Sequence, residues 1–276
     1  MRSFAGVFFA LAALFLLDLT YRSAASADEL VKFDSAAPRS HQAGEGDLGR
    51  WPIQGYLTKP QGAGPFPAVA LLHSCLGLPA NRGAIGAALA RWGYVALFVD
   101  DFATRGIKET CAVDFDKGVA DAFGALAFLS GLTYVDATRI AAVGYSQGAD
   151  TALEIASSRF AASFAIPGDL KFKAAAAFYP PCQNQIAATL QMPTLILIGA
   201  LDDVTPSADC ERLAKRQPGE GSDVRLVVYP GARHGFDNPG FAGGARLFGM
   251  WLKYDRDAAE RASAALRNFL AKTLAP

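Results

Sequence analysis

The chain has 276 residues, enough for one large domain or two small ones, and it is 51% hydrophobic, so it can bury a large core. Its 26 Lys and Arg residues equal its 26 Asp and Glu residues. This balance argues against a nucleic-acid-binding protein or a polybasic membrane-surface protein, because both need an excess of positive charge. We therefore expect a small-molecule partner.

The first residues have the pattern of a secretory signal peptide. Arg2 gives a basic start, an apolar run follows from residue 4 to residue 17, and small residues end at Ala25-Ser26-Ala27. An uncleaved membrane anchor is the alternative, but Asp18 ends the run before the ~20 apolar residues that span a bilayer. We predict that residues 1–27 are removed and that residues 28–276 are exported, to the periplasm or outside the cell, without stable membrane insertion.

Strand-like and helix-like segments alternate along the rest of the chain. Strands are predicted over residues 53–59, 68–73, 94–100, 140–145, 174–179, 194–199 and 224–229, and helices over residues 82–92, 115–129, 147–158, 208–216 and 255–270. This alternation predicts an α/β protein: a single domain with a mostly parallel central sheet and helices on both faces. Ligands bind such sheets beyond the carboxyl ends of the strands, so we expect function there.

One serine lies between two glycines where a predicted strand meets a predicted helix, in Gly144-Tyr145-Ser146-Gln147-Gly148. A turn this tight leaves no room for flanking side chains, and it projects the serine hydroxyl at its tip. The helix behind it directs free N–H groups at any developing anion. Ser146 is therefore a candidate nucleophile, and the alternative is a simple Gly-Ser turn that links strand to helix.

A serine nucleophile needs a base and an acid that orients the base. Of the three histidines, His41 lies in a polar segment, His73 ends a strand that precedes the serine, and His234 follows a strand in the loop YPGARHGF. His234 is the best candidate for the base. The acid is expected between serine and histidine in the chain, where Asp202 and Asp203 follow the strand in TLILIGALDDVTP.

With nucleophile, acid and base in this order, the chain resembles the dienelactone hydrolase family of the α/β-hydrolase fold, from about Tyr56 to the end. The segments that carry the resemblance are HSCLGL, DFATRG, GYSQG, GALDDVTP and PGARHGF. In that family the acid stands three residues after the glycine and four before the proline, which selects Asp202. The family histidine precedes Gly-Phe, which selects His234. The resemblance thus implies a catalytic triad of Ser146, Asp202 and His234.

The resemblance also implies an oxyanion hole formed by the backbone N–H groups of Cys75 and Gln147. Tyr145, beside the serine, is a candidate substrate contact, and packing in the core is the alternative. The founding enzymes of the family are cytoplasmic and use a cysteine nucleophile, whereas this chain has Ser146 and an export signal. We therefore expect general serine-esterase chemistry rather than thiol chemistry.

Arg105, in the segment DFATRG, has two possible roles. The founding enzymes hold a substrate carboxylate with two arginines, and Arg105 matches one of them, but Asn238 stands where the second would be. Arg105 can bind a substrate carboxylate in a bidentate manner. The alternative is an ion pair with Asp100 or Asp101 that only fixes the loop.

Export makes the four cysteines disulfide candidates, and the sequence alone allows three pairings. Their spacing is wider than the C-x-x-C arrangement of metal sites. In the fold that the resemblance implies, Cys75 and Cys111 follow neighbouring strands, and so do Cys182 and Cys210. We predict the disulfides Cys75–Cys111 and Cys182–Cys210, which would hold the oxyanion loop and the loop carrying Asp202.

The predicted activity is hydrolysis of carboxylic esters or lactones of small substrates through an acyl-enzyme, without a metal or organic cofactor. One alternative is a thioester or peptide hydrolase of the same fold. The other is a catalytically silent protein that uses the pocket only to hold a ligand.

Overall fold

The computed structural model describes residues 28–37, 51–113, 115–157, 164, 166, 168, 170–185, 188–217 and 223–276. The predicted signal peptide and His41 lie outside these ranges. Within them, no helix combines the length and the apolar character that crossing a bilayer requires.

The central sheet has eight strands within the described residues. They are β1 (Glu29–Asp34), β2 (Pro52–Thr58), β3 (Phe66–Leu72), β4 (Val95–Asp100), β5 (Val135–Tyr145), β6 (Ala174–Phe178), β7 (Thr194–Gly199) and β8 (Val224–Tyr229). Their order across the sheet is β1-β2-β4-β3-β5-β6-β7-β8. Strands β3 to β8 pair in parallel, whereas β2 pairs antiparallel with both β1 and β4. The mostly parallel sheet is therefore confirmed.

Both faces of this sheet are buried. In β4, Ala96 and Phe98 belong to one core cluster, while Val95, Leu97 and Val99 belong to a second. Successive side chains of a strand point to opposite faces, so the two clusters lie on the two sides of the sheet at this strand. This explains why the strands are continuous apolar runs and not alternating ones.

The helices that supply these layers match the predicted segments. They are α1 (Arg82–Arg91), α2 (Gly118–Ser130), α3 (Gln147–Ala156), α4 (Ser207–Arg216) and α5 (Arg256–Thr273). Leu126 of α2 packs in one cluster, and Leu89 of α1 and Leu270 of α5 pack in the other. Helix α5 begins after Asp255, whose side chain accepts a hydrogen bond from the N–H of Ala258 at 3.0 Å and so caps the helix.

Three strands were not predicted. Strand β1 is a sheet edge whose side chains are mostly exposed or half-buried. The other two form a separate hairpin of three-residue strands, β9 (Ala245–Leu247) and β10 (Met250–Leu252), which pair antiparallel. Strands of three residues are too short to show a periodic pattern in the sequence.

The register of the parallel strands brings their carboxyl ends to one edge. Leu72 of β3 pairs with Gly144 of β5, and Tyr145 of β5 pairs with Phe178 of β6. Gly199, the last residue of β7, pairs with the last residue of β8. The segments that follow these strands therefore begin side by side, which places the candidate site at this edge.

Helix α2 packs so closely on the end of β1 that Gly124 has no room for a side chain. A Cβ at this position would overlap the carbonyl oxygen of Asp34 and lie 2.8 Å from the Cα of Ser35. We expect Gly124→Ala to lower the free energy of unfolding by about 1–3 kcal/mol, because the added methyl group forces helix and strand apart. Urea denaturation measures this change.

Gly131→Ala, at the end of the same helix, is the matched control. Its Cβ would make only ordinary contacts, at 3.5 Å and 3.7 Å. Equal stability of the two variants would contradict this account of the packing between α2 and β1.

Candidate active site

Ser146 occupies the turn between β5 and α3 in a backbone conformation that residues other than glycine seldom adopt, with φ 53° and ψ −112°. A Cβ on Gly144 would overlap the carbonyl of Gly148, and a Cβ on Gly148 would overlap the carbonyl of Leu72 on β3. Both positions therefore require glycine. The N–H of Ser146 donates to the carbonyl of Phe178 at 3.0 Å, which ties the turn to β6.

Three side chains from three strand ends meet in one hydrogen-bonded series. Nε2 of His234 lies 2.9 Å from Oγ of Ser146, and Nδ1 of His234 lies 2.8 Å from Oδ2 of Asp202. All three residues are buried. Asp203, the other candidate for the acid, is exposed. The structure thus brings together the nucleophile, base and acid that were predicted, and it does so with Asp202.

The partners of His234 determine where its proton lies. An ionised carboxylate only accepts hydrogen bonds, so Nδ1 carries the hydrogen towards Asp202, and Nε2 of the neutral ring accepts from the Ser146 hydroxyl. Asp202 is itself fixed, because its Oδ1 accepts the N–H groups of Val204 at 3.0 Å and Thr205 at 2.9 Å. A base oriented in this way can remove the proton of a serine as it attacks.

The two predicted oxyanion residues are held by one segment. Gln147 is the first residue of α3, where backbone N–H groups have no partner within the helix. Thr110 donates its N–H to the carbonyl of Cys75 at 2.9 Å and its hydroxyl to Oε1 of Gln147 at 2.8 Å. Cys75 is also bonded to Cys111, the next residue of the same segment. The sequence did not predict a role for Thr110, and its only signal was its place beside a cysteine.

Both predicted disulfides are confirmed. Cys75–Cys111 joins the loop after β3 to the segment after β4, and Cys182–Cys210 joins the segment after β6 to α4. Helix α4 begins shortly after the loop that carries Asp202. Each bridge therefore connects a segment of the site to a neighbouring part of the fold.

His73 forms a second contact between a histidine and a carboxylate, beside the first. Its Nδ1 lies 2.8 Å from the carbonyl oxygen of Ser74, and its Nε2 lies 2.6 Å from Oδ1 of Asp101. Both oxygens can accept hydrogen bonds, so these contacts favour hydrogen on both ring nitrogens. Burial acts to lower the pKa of His73, but the charge of Asp101, the contact with it and the Ser74 carbonyl together raise this pKa above 6.5. His73 therefore holds the peptide that leads into Cys75.

A cavity of about 230 Å³ opens beside Ser146. Its lining includes the predicted residues Cys75, Tyr145, Ser146 and His234 together with apolar side chains and others, among them Leu78, Ile85, Phe241, Met250 and Leu252. Asp237 also lines the cavity and was not predicted, although it follows directly on the segment PGARHGF. Among the described residues, no group of three or more His, Cys, Asp or Glu residues is arranged to hold a metal ion.

Arg105 is engaged within the fold and is not among the residues that line the cavity. Its guanidinium donates to both oxygens of Asp121, at 2.8 Å and 2.9 Å, and to the carbonyl oxygen of Asp101 at 2.6 Å. These contacts favour a structural role for Arg105 over substrate binding. The expected alternative was an ion pair with Asp100 or Asp101, but the carboxylate partner is Asp121 of α2, which had no signal in the sequence.

Comparison with known proteins gives a family and a fold. The model of the dienelactone hydrolase family matches residues 53–274. An uncharacterized protein of Mycobacterium tuberculosis is 30% identical over 202 residues, which cover 68% of each chain. A dienelactone hydrolase-like promiscuous phosphotriesterase from metagenomic libraries has a TM-score of 0.68 at 21% identity, over 90% of this chain and 99% of that one. A thermophilic esterase of Thermogutta terrifontis has a TM-score of 0.60 at 20% identity, over 88% and 94%.

A stability measurement distinguishes the two roles considered for Arg105. Burial raises the pKa of Asp121 to about 6 even though Arg105 acts to lower it. We expect Arg105→Leu to lower the free energy of unfolding by about 3–5 kcal/mol, because it leaves a fully buried carboxyl group without its partner. Chemical denaturation at pH 8 measures the loss.

Arg212→Leu is the control, since Arg212 pairs with Asp209 at an exposed site where an ion pair contributes at most about 1 kcal/mol. Unchanged stability of Arg105→Leu, with a raised KM for esters that carry a carboxylate, would reverse the assignment in favour of substrate binding.

Proposed function

The chain belongs to the dienelactone hydrolase family, and from this membership we propose that it is a serine hydrolase that cleaves carboxylic esters or lactones of small substrates through an acyl-enzyme. The position of His234 supports this function most directly. Its ring lies within hydrogen-bond distance of both the Ser146 hydroxyl and the Asp202 carboxylate, next to a cavity of about 230 Å³. A cavity of this size suits a small substrate.

In the first half of the reaction, Nε2 of His234 takes the proton of Ser146 while Oγ attacks the ester carbonyl carbon. The carbonyl oxygen becomes negatively charged, and the N–H groups of Cys75 and Gln147 donate to it. One such donor lowers the barrier by ~3 to 4 kcal/mol. Protonated His234 then donates its proton to the leaving alkoxide oxygen, and the acyl group stays on Ser146.

In the second half, water replaces the alcohol. His234 removes a proton from the water, whose oxygen attacks the acyl carbon, and the bond to Ser146 breaks as the serine recovers its proton. Asp202 remains ionised throughout and stabilises the imidazolium that forms twice in each cycle. The products are the carboxylic acid and the free enzyme.

The contact between His73 and Asp101 has a positioning role in this scheme. His73 donates to the carbonyl of Ser74, and the same peptide unit carries the N–H of Cys75. A hydrogen bond to the carbonyl of a peptide polarises its N–H. The pair therefore orients one oxyanion donor and strengthens it.

We also propose that residues 1–27 are a cleaved signal peptide and that the enzyme works in the periplasm or outside the cell. The two disulfides support this location, because oxidising compartments preserve such bonds. Sequencing the amino terminus of the mature protein tests the cleavage after Ala27.

Hydrolysis of p-nitrophenyl acetate tests the reaction itself. We expect Ser146→Ala to lower kcat by roughly 10⁴-fold or more, because the nucleophile is lost. Asp202→Asn should lower kcat by roughly 10⁴-fold, because the base is then held with its hydrogen on the wrong nitrogen.

Asp203→Asn is the matched control for the acid, since it removes the adjacent, exposed carboxylate. It should keep the activity of the natural sequence. Equal rates of p-nitrophenyl acetate hydrolysis for Ser146→Ala and the natural sequence would contradict the proposed function. Labelling by a fluorophosphonate then separates a silent binding protein from an enzyme that prefers another acyl substrate, such as a thioester or a peptide.

Thr110 offers a test of the oxyanion donors. Thr110→Val removes the hydroxyl that holds Gln147 and keeps both the shape of the side chain and the N–H bonded to Cys75. We expect a roughly ten-fold lower kcat with unchanged KM, because a displaced donor weakens the transition state and not substrate binding. Thr110→Ser should restore kcat. A change confined to thermal stability, with kcat intact, would show that Thr110 only supports the fold.

A further inference from the structure

One carboxylate lies in the wall of the cavity beside the proposed nucleophile. Asp237 stands three residues beyond His234, and its Oδ1 accepts a hydrogen bond of 2.8 Å from the hydroxyl of Tyr179. Over the ranges that the structure describes, no lysine or arginine lines this cavity. His73 also lines the cavity, but its Nε2 lies 2.6 Å from Oδ1 of Asp101, so any positive charge on its ring is paired. A bound substrate therefore meets a negative group with no unpaired positive side chain to offset it.

Tyr179 fixes this carboxylate close to the reacting groups. The ring of Tyr179 packs against the ring of His234, with 4.6 Å between their centroids. Its backbone has φ 42°, and its N–H donates to the carbonyl of Leu197 at 2.7 Å. Because the tyrosine is anchored in this way, Asp237 is held in a defined position relative to His234.

Asp237 is negative under ordinary assay conditions. Burial raises the pKa of its carboxyl group to about 6, and the hydrogen bond from Tyr179 and the nearby His234 act in the opposite direction. Above that pH the group is ionised in a poorly solvated place. Charges interact more strongly there than in bulk water, so a charged substrate group is strongly attracted or repelled.

A second cavity of about 170 Å³ adjoins the first and extends the site between α1 and α5. The two cavities share Asn81, Ile85, Tyr145 and Asp237 in their linings. The first also has Tyr179 and Phe241 in its wall, and the second has Trp92 and Phe178. Aromatic rings attract alkylammonium groups, so the rings of Tyr145, Tyr179 and Phe241 near Asp237 suit a cation that is both charged and apolar. Trp92 is already occupied, because the guanidinium of Arg267 lies 5.8 Å from the centre of its ring.

We propose that Asp237 selects the substrate by charge, so that the site takes esters carrying an alkylammonium group and discriminates against esters carrying a carboxylate. This inference rests on the proposed ester hydrolysis and adds a substrate class to it. Asn238 agrees with this preference for a cation, because the resembled family has an arginine at this position. Its side chain accepts from the N–H of Gly240 at 2.9 Å and supplies no positive charge.

Two esters of nearly equal shape test the selection. Propionylcholine carries a quaternary nitrogen where 3,3-dimethylbutyl propionate has a carbon atom. We expect kcat/KM, followed by titration of the released acid at pH 8, to be roughly ten-fold or more higher for the choline ester. In Asp237→Asn the ratio of the two kcat/KM values should fall towards one.

Asp203→Asn is the matched control, because it removes one carboxylate that is exposed and does not line the cavity. It should leave the preference for the cation unchanged. Calorimetric binding of the two esters to Ser146→Ala gives a second readout that needs no catalysis, and the choline ester should bind more tightly.

Each outcome decides one of the two proposals. Hydrolysis of both esters at equal kcat/KM overturns selection by charge but agrees with the proposed hydrolase function. A preference that survives in Asp237→Asn also overturns the role of Asp237. Hydrolysis of neither ester, with tighter binding of the choline ester to Ser146→Ala, supports selection and overturns the proposed reaction. Binding of neither ester overturns selection.

Discussion

The hydrogen bond between Nε2 of His234 and Oγ of Ser146 depends on the parallel sheet, on the backbone conformation of the serine and on the glycines beside it. Its two residues are 88 positions apart in the chain, and they meet because β5 and β8 end at the same edge of one parallel sheet. The serine reaches the histidine because its backbone turns through an unfavourable conformation. The turn can form because Gly144 and Gly148 have no side chains. Gly144 lies against the backbone of Gly148, and Gly148 lies against the backbone of Leu72 in β3. Loss of any of these conditions would separate the two side chains.

Three pairs of buried charged groups surround this bond. Three acidic side chains near the site contact a histidine or an arginine, in the pairs Asp202 with His234, Asp101 with His73, and Asp121 with Arg105. Burying a charge is costly unless it is paired, so each pair constrains the segments that carry it. The two disulfides add covalent links between segments around the site. Groups held in this way need little reorganisation when charge develops during a reaction.

Sequence patterns identified the site residues that lie just after a predicted strand. Ser146, Asp202 and His234 each follow shortly after an apolar run, and family spacing chose between Asp202 and Asp203. Strand β1 was missed because its side chains are mostly exposed or half-buried, and the β9–β10 hairpin because each of its strands has only three residues. The partners Thr110, Asp121 and Asp237 were missed for a different reason. Each acts through a side chain distant in sequence, and only the packing of α2 and of the loops brings them together.

Covalent labelling of the folded protein with a fluorophosphonate, mapped by mass spectrometry of its peptides, tests most directly whether the three side chains act as one nucleophilic unit. The account predicts a single adduct, on Ser146, which forms rapidly in the natural sequence and far more slowly in His234→Gln. An unmodified Ser146 in the folded protein, or equal labelling rates with and without His234, would contradict it.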